Sequence, residues 1–263
     1  MHPHHLTSAT RNGRGLLKTA FSLPNFTRIT LSLLFTFFIT HLYCQAPPIQ
    51  WQKAMGGSGY EGASSIQQTT DGGYIVAGIT GSNDGDVSGS HGVWDYWIVK
   101  LAATGNIQWQ RCLGGSGQDY ASSIEQTTDG GYIVAGSSYS NDGDVSGNHG
   151  VSDAWIVKLA ASGNIQWQRC LGGSDVEGAY SIEQTTDGGY IVSGSTSSND
   201  GDVSGNHGVS EAWIVKLDAT GNIQWQRCLG GSGDEGAYSI EQTTDGGYIV
   251  SGSTSSNDGD VSG

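Results

Sequence analysis

The sequence predicts an all-β fold, an incomplete β-propeller built from four-stranded antiparallel blades, and three observations carry that prediction. A 58-residue repeat runs through most of the chain, with the tetrapeptide IQWQ at Ile49, Ile107, Ile165 and Ile223. Each full repeat holds four segments rich in β-branched or aromatic residues and none with a helical period. Short links containing Asp-Gly, Ser-Gly or Thr-Gly join most of these segments, which makes sequence neighbours antiparallel partners. Four antiparallel strands per repeat describe a propeller blade, whereas the coils of a wound β-solenoid are about half as long and leave no place for hairpins.

In the third repeat the segments are, in order, NIQWQRCL, AYSIEQTT, GYIVSGST and AWIVKL. The consecutive residues Trp213, Ile214 and Val215 put apolar groups on both faces of the last segment, as a sheet covered on both sides requires. TTDGGY places Asp-Gly between two strands, and ATGN or ASGN joins each AWIVKL to the next IQWQ. The 43 Gly against 4 Pro suit a chain of many tight turns.

Residues 1–46 read as a cleaved secretory signal. The basic residues Arg11, Arg14, Lys18 and Arg28 flank the start of an apolar run, ITLSLLFTFFITHLY, that is short for a bilayer span, and small residues follow it. Residues 47–263 are the repeat domain, with units 49–106, 107–164, 165–222 and a shortened 223–263 that lacks its AWIVKL segment. The shortened unit predicts either a fragment of a longer reading frame or a chain that self-associates through open strand edges. The expected place is secreted or on the outer cell surface, and an integral membrane protein is not expected.

Those four residues are the only Lys, Arg, Asp or Glu before Gln45, so the rest of the chain carries 7 basic against 25 acidic side chains, net −18. Nucleic acid is excluded as a partner, because phosphate binding needs a basic face. Cys112, Cys170 and Cys228 occur once per repeat, an odd and evenly spaced set that reads as buried thiols facing a neighbouring sheet rather than as a disulfide framework.

The motifs LGGSG, DGGYIVAG and W(I/V)VKL, within CLGGSGDEGAYSIEQTTDGGYIVSGSTSS and the spaced DAWIVKL, give the chain a family resemblance over residues 49–263. It resembles the secreted bacterial β-propeller repeats of the SBBP and delta-60 kind found in Bacteroidota surface proteins. That resemblance implies AYSIEQTTDG as the innermost strand of each blade and IQWQRCL as the outermost.

The loop DGDVSGNHGVSE supplies the candidate metal ligands. Counting Asp200 as position 1, it places Asp202 at 3, Ser204 at 5, Gly205 at 6 and Glu211 at 12, the spacing by which an EF-type loop wraps oxygens around Ca²⁺. The same frame holds for Asp142, Asp144, Ser146 and Asp153, and for Asp84, Asp86, Ser88 and Asp95. The competing reading is a solvated Asn/Asp/Gly turn whose side chains cap nearby backbone. His91, His149 and His207 sit in the same loops, but a zinc site would need ligands from separate blades to converge.

Repetition argues against catalysis, since an active site needs a single convergence of differently tuned groups. Asp234, Glu235 and Asp119 are the acids an enzyme acting on polysaccharide would use. Copies differ before the SIEQTT segment, in GYEGAS, GQDYAS, DVEGAY and GDEGAY, and around the long loop, where Trp94 and Tyr96 are extra aromatics of the first copy. These two could stack on a sugar ring or cover a bare flank. The expected function is a non-catalytic binding or scaffold module for a protein or glycan ligand. A polysaccharide-acting enzyme and a purely structural, self-associating spacer are the alternatives.

Overall fold

The computed structural model describes residues 46–261, and all but the last residue of the expected signal segment lies outside that range. The described residues contain strands and turns and no helix, so none is long and apolar enough to cross a membrane. Residues 46–50 have no secondary structure, and Trp51–Gly263 form one unit.

Fourteen strands make four antiparallel sheets. The first sheet is β1 (Glu61–Gln68), β2 (Tyr74–Thr80), β3 (Asp95–Leu101) and β4 (Ile107–Leu113). The second is β5 (Asp119–Gln126), β6 (Tyr132–Ser138), β7 (Asp153–Leu159) and β8 (Ile165–Leu171). The third is β9 (Glu177–Gln184), β10 (Tyr190–Thr196), β11 (Glu211–Leu217) and β12 (Ile223–Leu229), and β13 (Glu235–Gln242) pairs with β14 (Tyr248–Thr254) in a two-stranded fourth. Strand order within every sheet follows the chain, and no sheet closes on itself.

The sheets straddle the sequence repeats. Each IQWQRCL segment is the fourth strand of the preceding sheet, as when Trp109 of β4 pairs with Lys100 of β3. Residues 49–52 carry the same IQWQ letters and are not a strand, and among the described residues no strand precedes them. Trp51 nevertheless meets Tyr74 at 5.7 Å, the contact that Trp109, Trp167 and Trp225 make with Tyr132, Tyr190 and Tyr248 at 5.8 Å.

The DGG hairpins form as their residues dictate. Thr69 N donates to Gly73 O at 2.9 Å, and Gly72 takes φ +79°, a left-handed value that glycine adopts without steric cost. Asp71 accepts Gly73 N at 3.0 Å and Lys100 Nζ at 2.9 Å. This contact explains a lysine in a strand buried on both faces: the ammonium, on a side chain 5 % exposed, finds a carboxylate and the Leu101 carbonyl. Lys158 with Asp129 and Lys216 with Asp187 repeat the arrangement.

Apolar faces of successive sheets pack on one another. Ile75, Ala77, Tyr96 and Ile98 of the first sheet meet Val134, Trp155, Val157 and Leu159 of the second, and the second and third sheets repeat the pattern. Every residue of β3 and β7 is buried, so the two-faced reading of the WIVKL segment holds. Cys112, Cys170 and Cys228 are buried free thiols, and burial pushes each up to about 12. They are too protonated to act as nucleophiles.

The first strands form one edge of each sheet, and in β5, β9 and β13 the last N–H is covered. Gln126 N donates to Gln67 Oε1 at 2.6 Å, Gln184 N to Glu125 Oε2 at 2.7 Å and Gln242 N to Glu183 Oε2 at 2.9 Å, always onto the preceding sheet. Each of these strands also contains a bulge. The pairing skips Ser64, Ser122, Tyr180 and Tyr238, which have no partner on the second strand.

Candidate functional site

The long loops that carry the candidate calcium ligands close over the Gly-rich links between sheets. In the third copy Asp200 Oδ1 accepts Ser174 N at 2.7 Å, and Asp202 Oδ2 accepts Gly172 N at 3.3 Å. Ser204 Oγ bonds Gln226 Nε2 at 2.6 Å, and Glu211 accepts His207 N at 2.6 Å. Asp142, Asp144, Ser146 and Asp153 bond Ser116, Gly114, Gln168 and His149 in the same way. Asp84, Asp86, Ser88 and Asp95 likewise bond Ser58, Gly56, Gln110 and His91. The four ligand positions of each loop thus face four different partners. N–H donation by Ser58, Ser116 and Ser174 holds Asp84, Asp142 and Asp200 below the usual carboxylate range. Among the described residues, no three His, Cys, Asp or Glu side chains gather as a metal group.

Position 12 of each loop belongs to a different assembly. Asp95 and Asp119 are fully buried on either side of Gly114, where an added Cβ would lie 2.5 Å from Asp119 Oδ2 and 2.9 Å from Asp95 Oδ1. Asp153 with Glu177 about Gly172, and Glu211 with Glu235 about Gly230, repeat this carboxylate pair at the next two junctions. Asp119 accepts Ser138 Oγ, Ser140 Oγ at 2.9 Å and Gly115 N at 2.9 Å. Glu235 accepts Gly231 N at 3.0 Å and Thr254 Oγ1 at 2.9 Å. Asp119 and Glu235 are therefore tied into the fold, whereas Asp234, the third acid that an enzyme reading would use, is exposed. Asp95 Oδ1 and Glu211 Oε2 are buried without a hydrogen-bond partner.

These groups make stability depend on pH in two opposed ways. Burial pushes Asp119 and Asp153 above 3.8, so the folded chain keeps protons that the unfolded chain releases, and stability declines as pH rises through the raised values. At Asp129 burial is outweighed by hydrogen bonds from Thr127 and Lys158, and at Asp187 the bonds from Thr185, Gly189 and Lys216 dominate, so both sit at about 2. Their contribution is present above 3.8 and lost as pH falls toward 2. The midpoint of thermal unfolding is expected to peak in mild acid and to decline as pH rises from about 4 through the raised values of these carboxyls, with Asp119→Asn flattening that decline. A midpoint constant over this range in the unchanged protein would contradict it.

Aromatic side chains occupy the start of the first strands. Trp94 packs edge-on to Tyr120 at 5.4 Å, and Tyr120 to Tyr139 at 6.3 Å. Tyr180 and Tyr238, on neighbouring sheets, lie 5.5 Å apart, and their hydroxyls bond Ser195 Oγ and Ser253 Oγ at 2.8 and 2.9 Å. Tyr96 is not part of this surface. It is fully buried, 4.6 Å from Trp155, and donates its hydroxyl to Trp155 O at 3.1 Å.

No protein-family model matches this chain, and no curated protein does. The aromatic surface was only partly visible in the sequence: Trp94 stands out as an extra aromatic, whereas Tyr60, Tyr120, Tyr180 and Tyr238 fall at different places in their repeats. The signal that finds them is a count of one tyrosine per repeat within a five-residue window, 60–64, 118–122, 176–180 and 234–238.

Proposed function

We propose that the four sheets are consecutive blades of a β-propeller and that the protein is a secreted, non-catalytic binding or scaffold module. One observation carries this reading. The acids and histidines common to all copies are taken up by hydrogen bonds within the fold, whereas residues that differ between copies bring exposed aromatic rings together. Face-to-face packing of successive sheets, with first strands bonded to one another, supports the propeller. The basic-then-apolar N-terminal stretch supports secretion.

The test is retention on immobilised polysaccharides and matrix proteins, with released reducing ends assayed in the same mixture. Retention without product is expected. Product formation that disappears in Glu235→Gln would make the protein an enzyme and overturn the reading.

A further inference from the structure

Each repeat places a tyrosine over the same point of its first strand, and it does so from three different sequence positions. The point is the second residue of the strand: Gly62, Tyr120, Gly178 and Gly236, spaced by the 58-residue repeat. In the second sheet the tyrosine stands there itself. In the first, Tyr60 reaches forward from two residues before, so that a Cβ on Gly62 would meet its hydroxyl at 3.4 Å. In the third and fourth, the bulge residues Tyr180 and Tyr238 reach back from two residues after, with ring carbons 3.6 and 3.4 Å from a Cβ on Gly178 or Gly236. Duplication copies a residue at a fixed position, so it does not account for one side chain arriving at one place by three routes.

From this convergence we infer that Tyr60, Tyr120, Tyr180 and Tyr238 form an arc of stacking platforms for a neutral polysaccharide, an inference that rests on the binding-module reading. The tyrosines are reached by solvent: Tyr60 is 62 % exposed, Tyr238 55 % and Tyr180 37 %, and Tyr120 is half-buried. Aromatic faces bind the C–H faces of sugar rings while flanking hydroxyls and carbonyls take the sugar hydroxyls. Ser195 and Ser253 stand beside the rings in that role. Trp94 and Tyr139 extend the aromatic surface around Tyr120.

The charge and the edges of the sheets select the ligand. None of the seven Lys and Arg residues after Gln45 falls in the four windows that carry the tyrosines, whereas Glu61, Asp119, Glu177, Asp234 and Glu235 do. An acidic polysaccharide meets no counter-charge there. A peptide adding as a strand finds the first-strand N–H groups at Gln126, Gln184 and Gln242 already occupied. A neutral glycan lying across the rings needs neither a cation nor an open edge.

The test is affinity electrophoresis of the full chain through gels containing hydroxyethylcellulose, laminarin or xylan, with polygalacturonate as the acidic counterpart and a Pro-rich basic peptide tested by titration. Retardation by at least one neutral polysaccharide is expected, weakened about tenfold or more when all four tyrosines are changed to Leu. Leucine keeps the glycine points covered, so the thermal midpoint tests folding, and the single changes Tyr60→Leu and Tyr238→Leu serve if the fourfold variant unfolds. Binding unchanged in the Leu variants, or binding only to polygalacturonate or the peptide, overturns the sugar arc and leaves a binding module. Absence of retention by every neutral polysaccharide overturns the arc as well. Release of reducing ends from a retained polysaccharide would instead overturn the non-catalytic reading.

Discussion

Trp155→Ala is expected to lower the free energy of unfolding by about 3–5 kcal/mol. Trp155 is wholly buried between the first and second sheets, its ring 4.6 Å from that of Tyr96. Its Nε1 donates to Gln168 Oε1 at 2.8 Å, tying β7 to β8. Truncation removes the largest side chain of that junction, opens a cavity between two closely packed sheets and takes the donor from the half-buried Gln168 amide oxygen. Trp97, the equivalent residue of the first sheet, is 7 % exposed and packs with Met55 and Tyr74, with no sheet before it among the described residues. The loss at Trp97 should therefore be the smaller of the two. Urea unfolding followed by far-UV circular dichroism measures both, and a loss below about 1 kcal/mol at Trp155 would show that the junction is not packed as described.

Gly194→Ala is expected to cost about 3 kcal/mol through contact alone. The bulge at Tyr180 draws the carbonyl of Gly178 over Gly194, so an added Cβ would lie 1.9 Å from that oxygen and 3.0 Å from Ala179 Cα. Both obstacles are backbone atoms that cannot rotate aside. A Cβ added at Gly78, Gly136 or Gly252 would meet the equivalent carbonyl at 1.9 to 2.0 Å, which is why each YIV(A/S)G strand ends its apolar run in glycine. Gly178→Ala is the control. Its new methyl would meet the Tyr180 ring at 3.6 Å and Ser137 Cβ at 3.8 Å, ordinary contacts both, and stability should change by less than about 0.5 kcal/mol. Equal effects at the two sites would refute the close approach.

Much of this architecture is written in local letters. TTDGGY predicts its hairpin because Asp71 and Gly72 supply the acceptor and the left-handed residue that the turn requires. The consecutive apolar residues of AWIVKL predict burial on both faces, and β7 has it. The frame of the sheets is less legible, because a 58-residue period looks the same wherever counting starts, and only the pairing of Trp109 with Lys100 assigns IQWQ to the sheet before it.

The loop acids show the opposite limit. Asp200, Asp202 and Glu211 have metal-ligand spacing along the chain, and Asp200 and Asp202 also accept N–H groups, of Ser174 and Gly172, from 26 and 30 residues away. Spacing within one loop carries no trace of such partners. The tyrosine arc was hidden for a related reason. Aligning repeats compares like positions, and the bulge lets Tyr180 do from two residues downstream what Tyr120 does in place.

The side-chain caps run both ways across each junction. Gln67, Glu125 and Glu183 accept the N–H groups of Gln126, Gln184 and Gln242 in the following sheet. Gln126, Gln184 and Gln242 in turn accept Thr70 N, Thr128 N and Thr186 N of the sheet before, each at 2.8 Å. The same glutamine therefore gives its own N–H to its neighbour and takes one back through its side chain. Each junction is a clasp closed from both sides rather than a hook hung from one, and truncating Gln184 would free an N–H in the second sheet while leaving the bond that the third gives to Glu125.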